Sequence, residues 1–171
     1  MKEKRQLIEI IEEIVIKNRE SYYRLAYSYV KNEDDALDIV QESIYKAISS
    51  VDSIKNPEYI KTWFYRIVVN TSLDFLRKHK KANVMEQEIL ERYIPADEDS
   101  YENFDLHKAL NDLTPIYRNI IILRYFEDLK IKEVADVLGE NINTVKTRLY
   151  RALEILRIKM DDDMEAVNYG K

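Results

Sequence analysis

KIKEVADVLGENINTVKTRLYRALEILR, running from Lys130 to Arg157, decides the fold of this chain. A short helix over 131–138 carries Val134, Ala135 and Leu138 on one side. Gly139 ends it, because glycine accepts the left-handed backbone that a sharp inter-helix bend uses. The small Ala135 lets a second helix cross closely. In that second helix, over 142–160, Val145, Leu149, Ala152, Leu153 and Leu156 fall within about 100° of arc, a core-facing stripe. The opposite arc carries Thr144, Thr147, Tyr150 and Arg151, flanked by Lys146 and Arg148. The pattern is a helix-turn-helix with a recognition helix, whose central side chains reach base edges while flanking cations grip phosphates. An ordinary helical hairpin with a wet basic face is the plainer reading. It has to explain the turn glycine, the small residue and the basic outer face together.

Working outward, Thr114-Pro115 reads as a cap and first-turn pair opening a helix to about 127, after a short helix over 101–112. Residues 82–100 lose helical periodicity and gain acids and Pro95, which marks a linker, drawn with its acidic tail over 82–105. Upstream, Asn56-Pro57 is a second cap and first-turn pair, opening a helix to about 79. Asn32 caps a helix over 33–51, and 6–31 hold one or two helices with Leu25, Ala26, Tyr29 and Val30 as core stripe. No strand signal competes. The fold class is all-α, two small helical domains at 1–81 and 106–171 joined by an acidic linker. The linker has too few apolar residues at helical spacing to join the two cores.

Composition agrees. The chain has 171 residues, with only two glycines and three prolines, which disfavours β-rich architectures. Cysteine is absent, so disulfides and thiolate metal sites are excluded. Glu9, Glu12 and Glu13 interrupt the apolar N-terminal stretch, against a signal-peptide core. The net charge of −5 argues against nucleic acid until its distribution is read. Residues 55–81 carry seven Lys/Arg against two Asp/Glu, and residues 141–159 five against one. Residues 82–105 carry one against eight. Two basic modules flank an acidic strip, and a polyanion responds to that local pattern.

In the helix over 33–51, Ala36, Leu37, Val40, Ile44, Ala47, Ile48 and Val51 form the expected core stripe. Asp35, Asp38 and Glu42 lie opposite, with Ile39 pointing outward among them. An exposed apolar residue rimmed by charge suggests a protein partner. The next helix mixes Tyr59, Trp63, Phe64 and Tyr65 with Lys61, Arg66, Arg77, Lys78, Lys80 and Lys81. Rings and cations together suit single-stranded DNA. Trp63 and Phe64 read as core; Tyr59 and Tyr65 stay open.

At this point a family resemblance is carried by three motifs in order. DALDIVQES (Asp35–Ser43) resembles region 2.2 of sigma-70-type factors, usually DAEDLVQET, with Leu37 in place of Glu. KTWFYRIVVNTSLDFLRK (Lys61–Lys78) resembles regions 2.3 and 2.4. Leu113–Leu153 resembles region 4, with Asn143 where glycine is usual, a change that keeps a cap role. Nothing resembles regions 1.1 or 3, so the chain is similar to the minimal, extracytoplasmic-function (ECF) type of sigma factor. The resemblance implies that Asp35, Asp38, Ile39, Gln41 and Glu42 bind the clamp helices of core RNA polymerase. It implies that Lys61, Tyr65, Arg66, Asn70, Arg77 and Lys78 meet the melted non-template strand of the −10 element. It implies that Thr144, Lys146, Thr147, Arg148, Tyr150 and Arg151 meet the −35 duplex, and that this domain also touches the polymerase flap. It further implies a cytoplasmic protein held inactive by an anti-sigma factor, often membrane-tethered, and a linker able to thread the polymerase cleft.

No enzyme, metal or cofactor is expected. His79 and His107 lack ligand-like spacing, and two glycines cannot build a phosphate-binding loop. A helix-turn-helix regulator without polymerase specificity explains 113–157 but not DALDIVQES. A helical adaptor explains the acidic strips but leaves the recognition helix without a task.

Overall fold

The computed structural model describes residues 2–83 and 104–168. Within them the chain forms α1 (Lys2–Lys17), α2 (Arg19–Val30), α3 (Glu33–Ser49), α4 (Ile60–Asn83), α5 (Phe104–Asn111), α6 (Pro115–Ile121), α7 (Ile131–Leu138) and α8 (Ile142–Asn168). Among the described residues there is no strand. The expected acidic linker falls almost wholly outside them, and α4 carries two residues, Ala82 and Asn83, that the sequence assigned to it.

The caps follow from the residues. The Asn32 side chain accepts from the Asp35 N–H at 3.0 Å and opens α3. Asn56 does the same for Glu58 at 3.0 Å, so Pro57 starts a 3₁₀ turn over Pro57–Tyr59 that leads into α4. Gly139 ends α7 at φ 65°, the left-handed conformation the bend requires. At the start of α8 the capping side chain is Asn141, which accepts from the Asn143 N–H at 2.8 Å. Asn143 therefore supplies a donor; it lies two positions past the cap.

The helix expected over 115–127 changes character. After Ile121 it widens into a π-helical turn, Ile122–Phe126. The Glu127 N–H bonds to the Ile122 carbonyl at 3.0 Å, and Leu129 N–H to that of Leu123 at 3.0 Å. Asp128 between them takes φ 51° and turns the chain toward α7.

Helices α2, α3 and α4 pack mutually, with α1 along α3; α6 and α7 pack on α8, with α5 beside it. The apolar stripe read on α8 is buried at Val145, Leu149, Ala152 and Leu156, with Leu153 half-buried. The two modules also pack on each other. α4 packs on α7 and α2 on α6, giving one cluster of buried residues from both modules.

On α3 the expected stripe is rotated. Ala36, Ile39, Ser43 and Ala47 are buried, and Ile39 is 1% exposed. Leu37 stands 49% exposed, and Ile48 is exposed beside it. Ile39 is thus a core residue and not an outward contact. The physical reason is that this helix is apolar on two sides. Ser43, polar in a sequence reading, joins the core by donating its hydroxyl to the Ile39 carbonyl at 2.7 Å.

Candidate nucleic-acid interface

The outer face of α8 is built on its buried stripe. Tyr150 projects with 71% of its surface exposed, beside exposed Lys146, Thr147 and Arg151. The Thr147 hydroxyl donates to the Asn143 carbonyl at 3.0 Å, which fixes its rotamer with its methyl free. Thr144 is half-buried. Arg148 is also half-buried, and its guanidinium is 2.9 Å from Glu140 in the turn, an ion pair that braces the bend. Arg151 reaches Glu154 at 3.5 Å. Lys146 is thus the cation of this face best placed for phosphate.

The residues expected on the −10 strand divide into groups. Arg66, Asn70 and Arg77 are exposed and lie within about 40° of arc on α4, one continuous stripe. Asp74 holds Arg77 at 2.9 Å. Lys78 lies about 100° away and faces α3. Lys61 is half-buried. Tyr65 is 0% exposed, so its reading as a strand contact does not hold in this arrangement. Its hydroxyl donates to Glu127 Oε2 at 2.8 Å, and its ring meets Tyr22 edge-on at 4.8 Å. Burial first, then the Glu127 carboxylate, raises the Tyr65 and Tyr22 hydroxyls well above the usual phenol range. Trp63 is partly buried against the core and Phe64 fully buried, as read. Tyr59 is exposed.

On α3, Asp38, Gln41 and Glu42 are exposed as expected and Asp35 is half-buried. The apolar element they rim is different from the one expected. Leu37, Tyr45 and Ile48, with Gln41 between, follow helical spacing along the outer face, and Tyr45 is 69% exposed. Beside this stripe, α3 and α4 enclose a cleft of about 500 Å³ whose walls include Asp38, Tyr45, Lys46, Asp74, Phe75 and Lys78. Lys46 sits 3.7 Å from Glu42 and 3.9 Å from Asp74, balancing the acids. Tyr45 on α3 and Phe75 on α4 were not singled out from the sequence. An aromatic at i+8 from Leu37 was the available signal.

A second missed set lies between the modules. Arg118 is buried and donates to the carbonyls of Leu110 at 2.9 Å, Leu113 at 2.7 Å, Asn111 at 2.7 Å and Ser28 at 2.8 Å. Ser28 Oγ meets Asn119 Oδ1 at 2.9 Å. Lys31 donates to Asn111 Oδ1, and desolvation, then the Arg118 charge, lowers its ammonium to about 8. The signal was a polar pair, Arg118-Asn119, inside the apolar run Ile116–Leu123.

An exposed polar face on α8, a basic stripe on α4 and an acid-rimmed apolar stripe on α3 are the surfaces expected of a two-module promoter reader. The comparisons agree. The Sigma-70 region 2 family matches residues 14–82, and Sigma-70, region 4 matches residues 103–156. RNA polymerase sigma factor SigV of Bacillus subtilis is 55% identical over 160 residues, covering 94% of this chain and 96% of its own length. ECF RNA polymerase sigma factor SigW of the same organism is 32% identical, covering 84% and 85%. Among solved structures, sigma factor RpoE of Bartonella quintana, in complex with the anti-sigma factor NepR, has TM-score 0.70 and 25% identity. That match covers 92% of this chain and 96% of RpoE. The chain belongs to the ECF sigma factors of RNA polymerase. Among the described residues no helix is long and apolar enough to cross a membrane, and no group of side chains is suited to a metal ion.

Proposed function

We propose that this sigma factor divides its work among three surfaces. The outer stripe of α3, Leu37, Tyr45 and Ile48 with Asp38, Gln41 and Glu42, docks on the clamp helices of core polymerase. Arg66, Asn70 and Arg77 on α4, with the 52–60 segment, meet the melted −10 strand. Lys146, Thr147, Tyr150 and Arg151 on α8 read the −35 duplex. The domain limits follow the sequence reading, 1–81 and 106–171 about an acidic strip. The protein acts in the cytoplasm by binding alone, without catalysis or cofactor. An anti-sigma factor holds it inactive, as supported by the RpoE complex and by the fold likeness to CnrH, solved with the cytosolic domain of CnrY (TM-score 0.68).

The observation that carries this reading is the outer face of α8, an exposed tyrosine and threonine flanked by an exposed lysine on a helix pinned by four buried residues. A helix-turn-helix regulator without polymerase specificity has no use for the apolar stripe on α3. The test mixes the chain with sigma-free core polymerase on a promoter template. Promoter-specific transcripts are expected. Binding of the duplex without transcripts favours the simple regulator.

A further inference from the structure

In the seam between the modules the contacts are close: Arg24 Nε donates to Glu127 Oε1 at 3.1 Å, beside the Tyr65 bond to the same carboxylate. The loop between α3 and α4 is built differently. Its ends are anchored, because Val51 and Ile60 are both fully buried. A 3₁₀ turn over Val51–Ser53 holds the first anchor, and the Asn56-capped turn over Pro57–Tyr59 leads to the second. Between the anchors Ile54 is half-buried, and residues 52, 53 and 55–59 are exposed.

Between this loop and α1 lies a cavity of about 390 Å³. Gln6, Leu7 and Ile10 of α1 line one wall; Ile54, Lys55 and Pro57 line the other. Side chains that face each other across such a space lack the close contacts that fix positions in a packed core. Discrete contacts at the rim therefore decide where the loop stands.

One such contact is present. Lys4 Nζ lies 2.6 Å from Asp52 Oδ2, across 48 residues of sequence. The two side chains are 50% and 71% exposed, so the pair adds little to the stability of the fold. Its effect is on position. It also neutralises one of the two acids in a segment that offers Lys55 and the exposed Tyr59 ring to a strand. A recognition loop depends on a rigid neighbour to hold its side chains in place, and small displacements cost selectivity.

We propose, on the reading that the 52–60 segment meets the melted strand, that Lys4 of α1 is a positioning residue for −10 recognition. Through Asp52 it sets the stance of the loop over the cavity, and with it the base preference at the −10 element.

The test compares holoenzyme on the cognate promoter with holoenzyme on templates carrying single −10 substitutions, read by permanganate reactivity of the opened thymines. Lys4→Ala and Asp52→Ala are each expected to lower opening on the preferred −10 element about two- to fivefold. Each is expected to narrow the gap between preferred and substituted templates, and the two together to do no more than either alone. Thermal unfolding by circular dichroism and core-polymerase affinity are expected to stay at parental values. The chain has no cysteine, so Lys4→Cys with Asp52→Cys gives a single addressable pair. Unlinked, that pair is expected to behave like the alanine variants. Joined by a short bismaleimide, it is expected to recover the parental preference, although both charges are gone. Additive losses, unchanged preference in the single variants, or a linked pair no better than the unlinked one overturns the positioning role. Lys55→Ala and Tyr59→Ala on the same templates test the loop itself. If they alter the preference while the Lys4 variants do not, the positioning role alone falls. If they leave it unchanged, the segment is not a strand contact, and both fall.

Discussion

Ile39→Ala and Tyr45→Ala separate the two faces of α3. Ile39 is 1% exposed, so truncation removes three buried carbons, worth ~2.5 kcal/mol of transfer free energy. The space they leave adds a cavity cost, for a total of about 3–4 kcal/mol. In a chain of this size that lowers the melting temperature by about 6–16 °C. Tyr45 is 69% exposed, so its truncation changes stability by no more than ~0.5 kcal/mol. It does remove an aromatic anchor from the proposed docking stripe, where a loss of about 2 kcal/mol means roughly thirtyfold weaker binding to core polymerase. Thermal unfolding followed by circular dichroism measures the first effect. Titration of labelled core polymerase with the chain, below the melting range, measures the second. An Ile39→Ala chain that melts like the parent but fails to bind, beside a Tyr45→Ala chain that binds normally, refutes the placement. The helix is then rotated back to the face expected from sequence.

Arg66→Ala is expected to slow open-complex formation more than initial docking; normal permanganate reactivity of thymines around the start site in that variant counts against the α4 stripe. Thr147→Ala and Tyr150→Ala, measured in holoenzyme, are expected to cost roughly 1–3 kcal/mol on the cognate −35 element and little on unrelated duplex. Lys146→Ala is expected to weaken binding to every sequence and to take about one unit from the log–log salt slope. Arg118→Ala strips four carbonyls of a buried donor and is expected to destabilise the fold by about 3 kcal/mol, read by urea unfolding. Tyr22 and Tyr65 have hydroxyls raised above the ordinary 10.0, so stability is full below pH 10.0 and falls as pH rises beyond it, because the unfolded chain loses those protons first. Tyr65→Phe removes part of that fall, and a pH series of urea unfolding curves checks it.

The regions legible in the sequence are those where one period dominates. Over Lys130–Arg157 the apolar stripe, the glycine and the basic arc each point one way, and the helix-turn-helix follows with its outward residues. The α3 helix defeats the same method because Leu37, Ile39, Val40, Ile44, Tyr45 and Ile48 put apolar groups almost all round it. Counting apolar residues then favours the wider arc, while the structure buries the narrower one that contains small Ala36, Ser43 and Ala47, where neighbouring helices approach closely. The module seam was illegible for another reason. Its pairs are separated by 62, 91 and 103 residues, far beyond any local period, and a polar side chain gives no sign of which distant donor it will meet. Tyr65 shows the result: its ring and hydroxyl suit a stacked base or a buried carboxylate equally, and only the fold decides between them.

The 103-residue separation of Arg24 and Glu127 gives the seam a place in time as well as in space. At about 5–20 residues per second of synthesis, Glu127 is added roughly 5–20 s after Arg24. It follows Tyr65, 62 residues upstream, by roughly 3–12 s. During that interval the tyrosine and arginine have no Glu127 to meet, and the face they share lacks its cover. A partner that meets the nascent chain sees a surface that the finished chain hides.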